Sequence, residues 1–292
     1  MLFIEQEICS RTFETARDSL LVTRLFDILK IINNDSPNIE TTFSLNRKLD
    51  VVDKTIIGNV MVNLVKIGKY CTTNSIKLGY QDWYIQAIFD SIRWTQFDES
   101  RALLSYCTSI LLSFTIQHSQ SVAKYLRSIQ GMERIFYLIK TNISQTAPVQ
   151  HLLMVIVYLI NMSQNMLSKF FALDGKNLIL PFMTREQEQY ISGIHNAIVR
   201  ILGCMCVDSR CDIPKGVIFN YMYTSMKDRT ECGIVKAILQ ASSAIIKMKP
   251  ELKMEMVNNG CILWLFAMKT CADEMIANDI DVITNSFISL TQ

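Results

Sequence analysis

This chain is poor in the residues that break secondary structure. It has 10 glycines and 5 prolines in 292 residues, too few for an all-β protein that turns every few positions. Charge is also sparse: 19% of residues are charged, and Lys and Arg outnumber Asp and Glu by only 29 to 27. These charges are spread over both halves, so no basic block marks a nucleic-acid or acidic-membrane partner. Long apolar runs are missing too. The longest, Leu152–Ile160 and Cys261–Met268, fall well short of the ~20 residues that span a bilayer. Glu5 and Glu7 interrupt the first apolar residues, so no signal peptide is expected, and no membrane insertion.

The strings that carry common chemistry are absent as well. There is no glycine-rich phosphate loop, no His-Glu-x-x-His and no paired-carboxylate motif. The nine cysteines are an odd number without a framework of spacings, and several, such as Cys107 and Cys261, sit inside apolar patterns. Free buried thiols imply a reducing compartment, cytoplasmic or nuclear. Cys204, Cys206 and Cys211, with His195 upstream, come nearest to a metal set. Their spacing does not match zinc-binding pairs, and residues two apart on one helix point about 200° from each other. Cys204 and Cys206 could converge only if the helix ended between them. His118, His151 and His195 fall at breaks or helix starts, expected to be solvated turns, with no thiol placed beside them. The expectation is a non-enzymatic protein with no metal, no cofactor and no small-molecule ligand.

What the chain does have is helical periodicity, with half of its residues hydrophobic. Ala16, Leu20, Leu21, Leu25, Ile28 and Leu29 mark a helix over 12–32. The Asn33-Asn34-Asp35-Ser36-Pro37-Asn38 stretch then reads as a loop reaching about Asn46. The division expected is 1–46, a helix and flexible loop, and 47–292, a repeat array. Within the array a pattern recurs: a helix of about three turns, a polar break, a short helix, a glycine and a third helix. Approximate repeats are 51–92, 101–140, 148–183, 184–226 and 230–271, with a closing helix over 273–290. Gly131, Gly175, Gly216 and Gly260 mark the last junction at intervals of 44, 41 and 44 residues, and Gly79 precedes them. The polar break of the second repeat is His118-Ser119-Gln120. Thr184-Arg185-Glu186-Gln187 has the form of a capping box, and a longer loop is expected near 94–100. The last residues still read as helical, which suits a fragment of a longer protein.

Ile129-Gln130-Gly131-Met132-Glu133-Arg134-Ile135-Phe136-Tyr137-Leu138-Ile139 resembles the second-to-third-helix junction of armadillo repeats. Val257 to Met268, around Gly260, matches comparably; Gly175 and Gly216 match with their hydrophobic registers shifted by about one residue. The resemblance covers about 240 residues from Val51 onward, with a period that suits armadillo or HEAT arrays. It implies an all-α, right-handed α-solenoid of about five three-helix repeats with an N-terminal capping helix. The junction glycine is expected where a side chain would clash or would need positive φ.

The resemblance also implies that third helices line a groove holding a peptide or helix of a partner protein. The residues placed there are Asp82, Gln86 and Asp90; Glu133, Arg134, Tyr137 and Lys140; Asn220 and Tyr223; and Leu263 and Phe266. The asparagine ladder of import adaptors and β-catenin is missing, since Trp83 is followed four residues on by Ala87 and Trp264 by Met268. That speaks against basic import signals as ligands. RNA-reading arrays use a shorter period and a recurring polar trio, which these helices lack. The closing helix is the expected cover for Leu263 and Phe266; otherwise they form a patch for an amphipathic helix or a second subunit. The function expected is a scaffold or adaptor, with an architectural subunit that mates through its ends or by self-association as the alternative.

Overall fold

The computed structural model describes residues 20–34, 51–73, 76–95, 101–184, 192–224, 232–269 and 274–288. These residues are almost entirely helical and contain no strand. The fold is all-α, and the chain divides into two compact units, Met1–Met162 and Ser163–Gln292. The expected loop over 33–46, the capping-box residues after Thr184 and the loop residues 96–100 lie wholly or largely outside the described residues.

In the first unit the helices are α1 (Leu20–Asn34), α2 (Val51–Thr73), α3 (Asp82–Thr95), α4 (Arg101–Ser128), α5 (Gly131–Thr141) and α6 (Thr146–Met162). The N-terminal helix α1 packs on α2 and α3. Its Phe26 is fully buried and stacks on Tyr84 of α3 at 4.1 Å between ring centroids, with Phe114 of α4 at 5.8 Å. α2 is a single helix of 23 residues, so a separate short helix does not precede α3 among the described residues. In α4 the expected break appears as a kink: His118 leaves helical geometry at φ −133° and ψ 36°. The kink is held from outside. His118 Nε2–H donates to the Leu78 carbonyl at 2.6 Å, and the Leu78 amide donates to Gln117 Oε1 at 2.6 Å. Backbone groups in the coil before α3 thereby find partners on α4.

α4 packs most extensively on α6. α6 is apolar around most of its circumference, with Val149, Leu152, Leu153, Val155, Ile156, Val157 and Leu159 all buried, as befits an inner helix covered on several sides. Pro148 lies in its first turn, where the missing amide hydrogen costs nothing.

The second unit holds α7 (Gln164–Ala172), α8 (Gly175–Thr184), α9 (Ser192–Cys206), α10 (Lys215–Thr224) and α11 (Cys232–Met248). A 3-10 turn at Pro250–Leu252 then leads to α12 (Lys253–Asn258), α13 (Cys261–Lys269) and α14 (Glu274–Ile288). α9 and α11 form its centre. Residues 207–214 contain no helix, so this repeat has lost its short second helix.

The third helices are α5, α8, α10 and α13, and their starts share one hydrogen bond. The carbonyl just before each helix accepts the amide four residues on: Gln130 from Arg134, Asp174 from Leu178, Pro214 from Ile218, and Gly260 from Trp264. Measured from that junction, the glycines are not equivalent. Gly131 and Gly175 are the first helical residues, Gly216 is the second, and Gly260 is the residue before the helix. The left-handed residue is Gln130 at φ 54°, Asp174 at φ 61° and Gly260 at φ 90°. A Cβ on Gly131 would overlap Leu126, and one on Gly175 would overlap the Phe170 ring, whereas Gly260 has open space around it. Steric exclusion and positive φ are both at work, at different junctions.

Candidate partner-binding surface

In the first unit, α3 and α5 present the residues singled out from the sequence. Asp82 opens α3 and is exposed, while Gln86 and Asp90 are half-buried and linked by a 2.8 Å hydrogen bond from Gln86 Nε2 to Asp90 Oδ1. On α5 the apolar side chains Met132, Ile135, Phe136, Leu138 and Ile139 turn inward. Tyr137, 49% exposed, and Lys140 therefore face out, with Glu133 and Arg134 half-buried. The Arg134 guanidinium lies 5.6 Å from the Phe89 ring centroid, which joins α5 to α3. The Tyr125 phenol of α4 is held above its ordinary titration range by burial and by the charges of Asp82 and Asp90, with Arg134 opposing. Those four side chains thus form one electrostatic neighbourhood. Lys30 of α1 covers Trp83 of α3 at 5.5 Å from its ring centroid, occupying the tryptophan face.

In the second unit, α10 and α13 are in contact. Asn220 is exposed, but Tyr223 is not: its relative exposure is 2%. Its hydroxyl pairs with Ser242 Oγ at 2.7 Å and its ring lies 5.7 Å from Trp264. The expectation that Tyr223 faces a partner is corrected, because α10 begins at Lys215, ahead of Gly216. Counting from that start, Ile218, Phe219 and Met222 are buried, as are Leu178, Ile179 and Phe182 of α8 and Trp264, Leu265 and Met268 of α13. The exposed stripe of α10 thus runs through Val217 and Asn220. Val217, 48% exposed, was missed from the sequence, although Pro214 is a fair signal for a helix starting just after it.

Leu263 and Phe266 occupy the same stripe on α13 and are 77% and 58% exposed. The expected cover by the closing helix is a second correction. α14 packs on α11 and α13 through Ile276, Ile280, Ile283 and Phe287, and leaves that stripe open. Its outer face shows Glu274, Asn278, Asp279, Val282 and Asn285.

Cys206, Cys261 and His195 are buried in the helical packing, and Cys204 and His151 are half-buried there. α9 runs through both Cys204 and Cys206, so their side chains diverge. Burial pushes both thiols up to about 11 and Cys261 to about 12. No group of three His, Cys, Asp or Glu side chains suited to a metal ion occurs among the described residues. The histidines are not in solvated turns. His195 is fully buried with Nδ1 2.8 Å from the Tyr221 hydroxyl, and His151 Nδ1 lies 3.1 Å from Thr108 Oγ1. No helix of the described residues is long and apolar enough to cross a membrane.

No family model and no curated protein matches the sequence. Solved structures do match the fold. A designed armadillo repeat protein in complex with a (KR)4 peptide aligns with a TM-score of 0.62 at 10% identity, covering 90% of this chain and 99% of that one. An engineered protein aligns with a TM-score of 0.62 at 9% identity, covering 91% of this chain and 98% of that one. At such identities the likeness concerns the fold: this chain is an armadillo-like helical-repeat solenoid.

Proposed function

We propose that this protein is a non-catalytic scaffold or adaptor that binds a partner protein through the exposed faces of its third helices. The observation that carries this is α13. Cys261–Met268 contains no polar side chain other than the Trp264 indole N–H and the Cys261 thiol, yet Leu263 and Phe266 face outward. A helix apolar all round belongs in an interior, so an open apolar face asks for a partner. The peptide held by the designed armadillo neighbour supports binding on this fold in general; that peptide's basic sequence is not transferred. Elevated thiol titration at Cys204, Cys206 and Cys261 supports the non-catalytic reading, because the thiolate is the nucleophile. The free cysteines support a reducing compartment, cytoplasm or nucleus.

The alternative is an architectural subunit mating through its ends. The test is affinity capture from the native cell, followed by binding with purified partner. Replacing Arg134 and Tyr137 together with alanine should weaken a partner held on the first unit by about tenfold without unfolding the chain. A chain that binds no purified candidate and forms a stable homodimer in light scattering supports the architectural subunit instead.

A further inference from the structure

We infer that the α10–α13 face of the second unit is a docking site for a single amphipathic helix with an acidic flank. This rests on the partner-binding reading above and names its occupant. Val217 and Leu263 are the third residues of their helices, and Asn220 and Phe266 the sixth, so the two contacting helices present matched positions. Val217, Leu263 and Phe266 form the apolar part of that face.

Three arguments select the occupant. The first is size. At ~150–250 Å² for an aromatic side chain and rather less for Leu and Val, these fractional exposures leave on the order of 300 Å² of apolar surface. A stable dimer needs roughly 800 Å² per partner. A second copy of the chain would be under-held, while one face of a short helix fits.

The second argument is backbone satisfaction. An extended peptide needs side chains that grip its N–H and C=O groups, or it buries them unpaired. α13 offers none of these on its open face, and Asn220 is the one amide at the stripe's sixth position; α8 has Leu180 and α13 has Phe266 there. A helical partner satisfies its own backbone and presents only side chains.

The third is charge. α10 and α13 contain no Asp or Glu, and the charge on the open stripe is Lys269, since Lys215 points about 200° away from Val217. Lys269 lies one turn from Phe266; it reaches Asp281 of α14 at 2.5 Å and remains 43% exposed. A carboxylate beside the partner's apolar anchors can share this ammonium with Asp281 and meets no carboxylate of α10 or α13, whereas a basic flank meets Lys269 as a like charge.

The experiment is a display selection of helix-forming 16-residue peptides against the full chain, with light scattering alongside. The expected result is enrichment of peptides with apolar residues at i, i+3 or i+4, and i+7 and with carboxylates flanking them. Their binding should fall about tenfold or more with Phe266→Ser, persist with Ile31→Ser on α1 of the first unit, and prefer Glu over Lys at the flanks. Both substituted side chains are exposed, and an unchanged melting temperature verifies that each variant is folded. Enriched peptides without helical spacing, with basic flanks, or indifferent to Phe266→Ser overturn this site and leave the general partner-binding reading standing. An empty selection with a dimer dissociated by Leu263→Asp makes a second copy the occupant and overturns the inference. An empty selection with a monomer overturns it and removes the support that α13 gives to partner binding.

Discussion

Gly131 and Gly260 occupy neighbouring steps of one junction, and each excludes a side chain by a different force. At Gly131 a Cβ would overlap Leu126, with the Leu126 Cα only 3.0 Å away, so any larger residue strains the turn between α4 and α5. Gly131→Ala should cost about 1–3 kcal/mol, the range for overpacking. At Gly260 the space is open and φ is 90°, so the penalty is conformational, about 1–2 kcal/mol for Ala. Asparagine tolerates that backbone region, so Gly260→Asn should be milder than Gly260→Ala, while Gly131→Asn should be worse than Gly131→Ala. Denaturant unfolding of the four variants checks the crossover; the same ranking at both sites would refute it. His151 makes a separate prediction. Thr108 gives its proton to the Leu104 carbonyl at 2.9 Å, so Thr108 Oγ1 accepts from His151 Nδ1–H. Burial first, and then the Lys69 charge, lower its titration below the ordinary value of 6.5, while a backbone hydrogen bond to Ser105 opposes. As pH falls through 6.5 the unfolded chain therefore takes up the proton first, and stability drops. Stability measured from pH 7.5 down to 5 should fall less steeply in His151→Gln than in the parent.

At the level of the helix, what matters is where each element starts. Periodicity alone marks α6, α9 and α11 because their apolar residues recur over four or five turns, and the polar break at His118 coincides with the kink in α4. The third helices are shorter, nine to eleven residues, and a one-residue error in their start rotates every outward position by about 100°. Gly131 and Gly260 happen to keep the exposed faces of α5 and α13 in step, since α5 begins at its glycine and its buried set falls one residue later. Gly216 does not, because α10 starts at Lys215, so a register counted from the glycine puts Tyr223 outside and passes over Val217. The exposure of Leu263 and Phe266 was beyond reach from composition: an apolar helix with a following helix is equally consistent with being covered. What settles it is that Ile276, Ile280, Ile283 and Phe287 all turn toward the core while α13 keeps one face open. The register of α10 can be tested directly. Val217→Ser should change stability by less than about 0.5 kcal/mol, as surface substitutions do. Tyr223→Ala should cost about 3–5 kcal/mol, for the cavity and the abandoned Ser242 hydroxyl. Equal effects on the melting temperature would mean that α10 is rotated from the position described.

Over the whole molecule, stability in a repeat fold is a sum of local terms, because each repeat packs mainly on its neighbours. The two units each have a core of their own. Phe26, Tyr84 and Phe114 cluster in the first, and Tyr223, Ser242 and Trp264 in the second. The three tryptophans divide usefully between them: Trp83 and Trp94 are in α3, and Trp264 is in α13. Fluorescence of a Trp264→Phe variant therefore reports the first unit, and that of a variant with Trp83 and Trp94 replaced reports the second. The perturbation of choice is Gly203→Val in α9, where a Cβ would come within 2.8 Å of Ala241 Cβ in α11. That contact lies at the centre of the second unit, and overpacking it should cost about 1–3 kcal/mol. If stability is local, the substitution lowers the urea midpoint reported by Trp264 and leaves the midpoint reported by Trp83 and Trp94 within error of the parent. Two probes that shift together by the same amount would show a single cooperative transition, and the division into two energetic units would then fail. The outcome also bears on the docking site. A second unit that unfolds by itself would bind its helix partner with a stabilisation confined to the Trp264 signal, because a ligand raises only the midpoint of the unit that holds it.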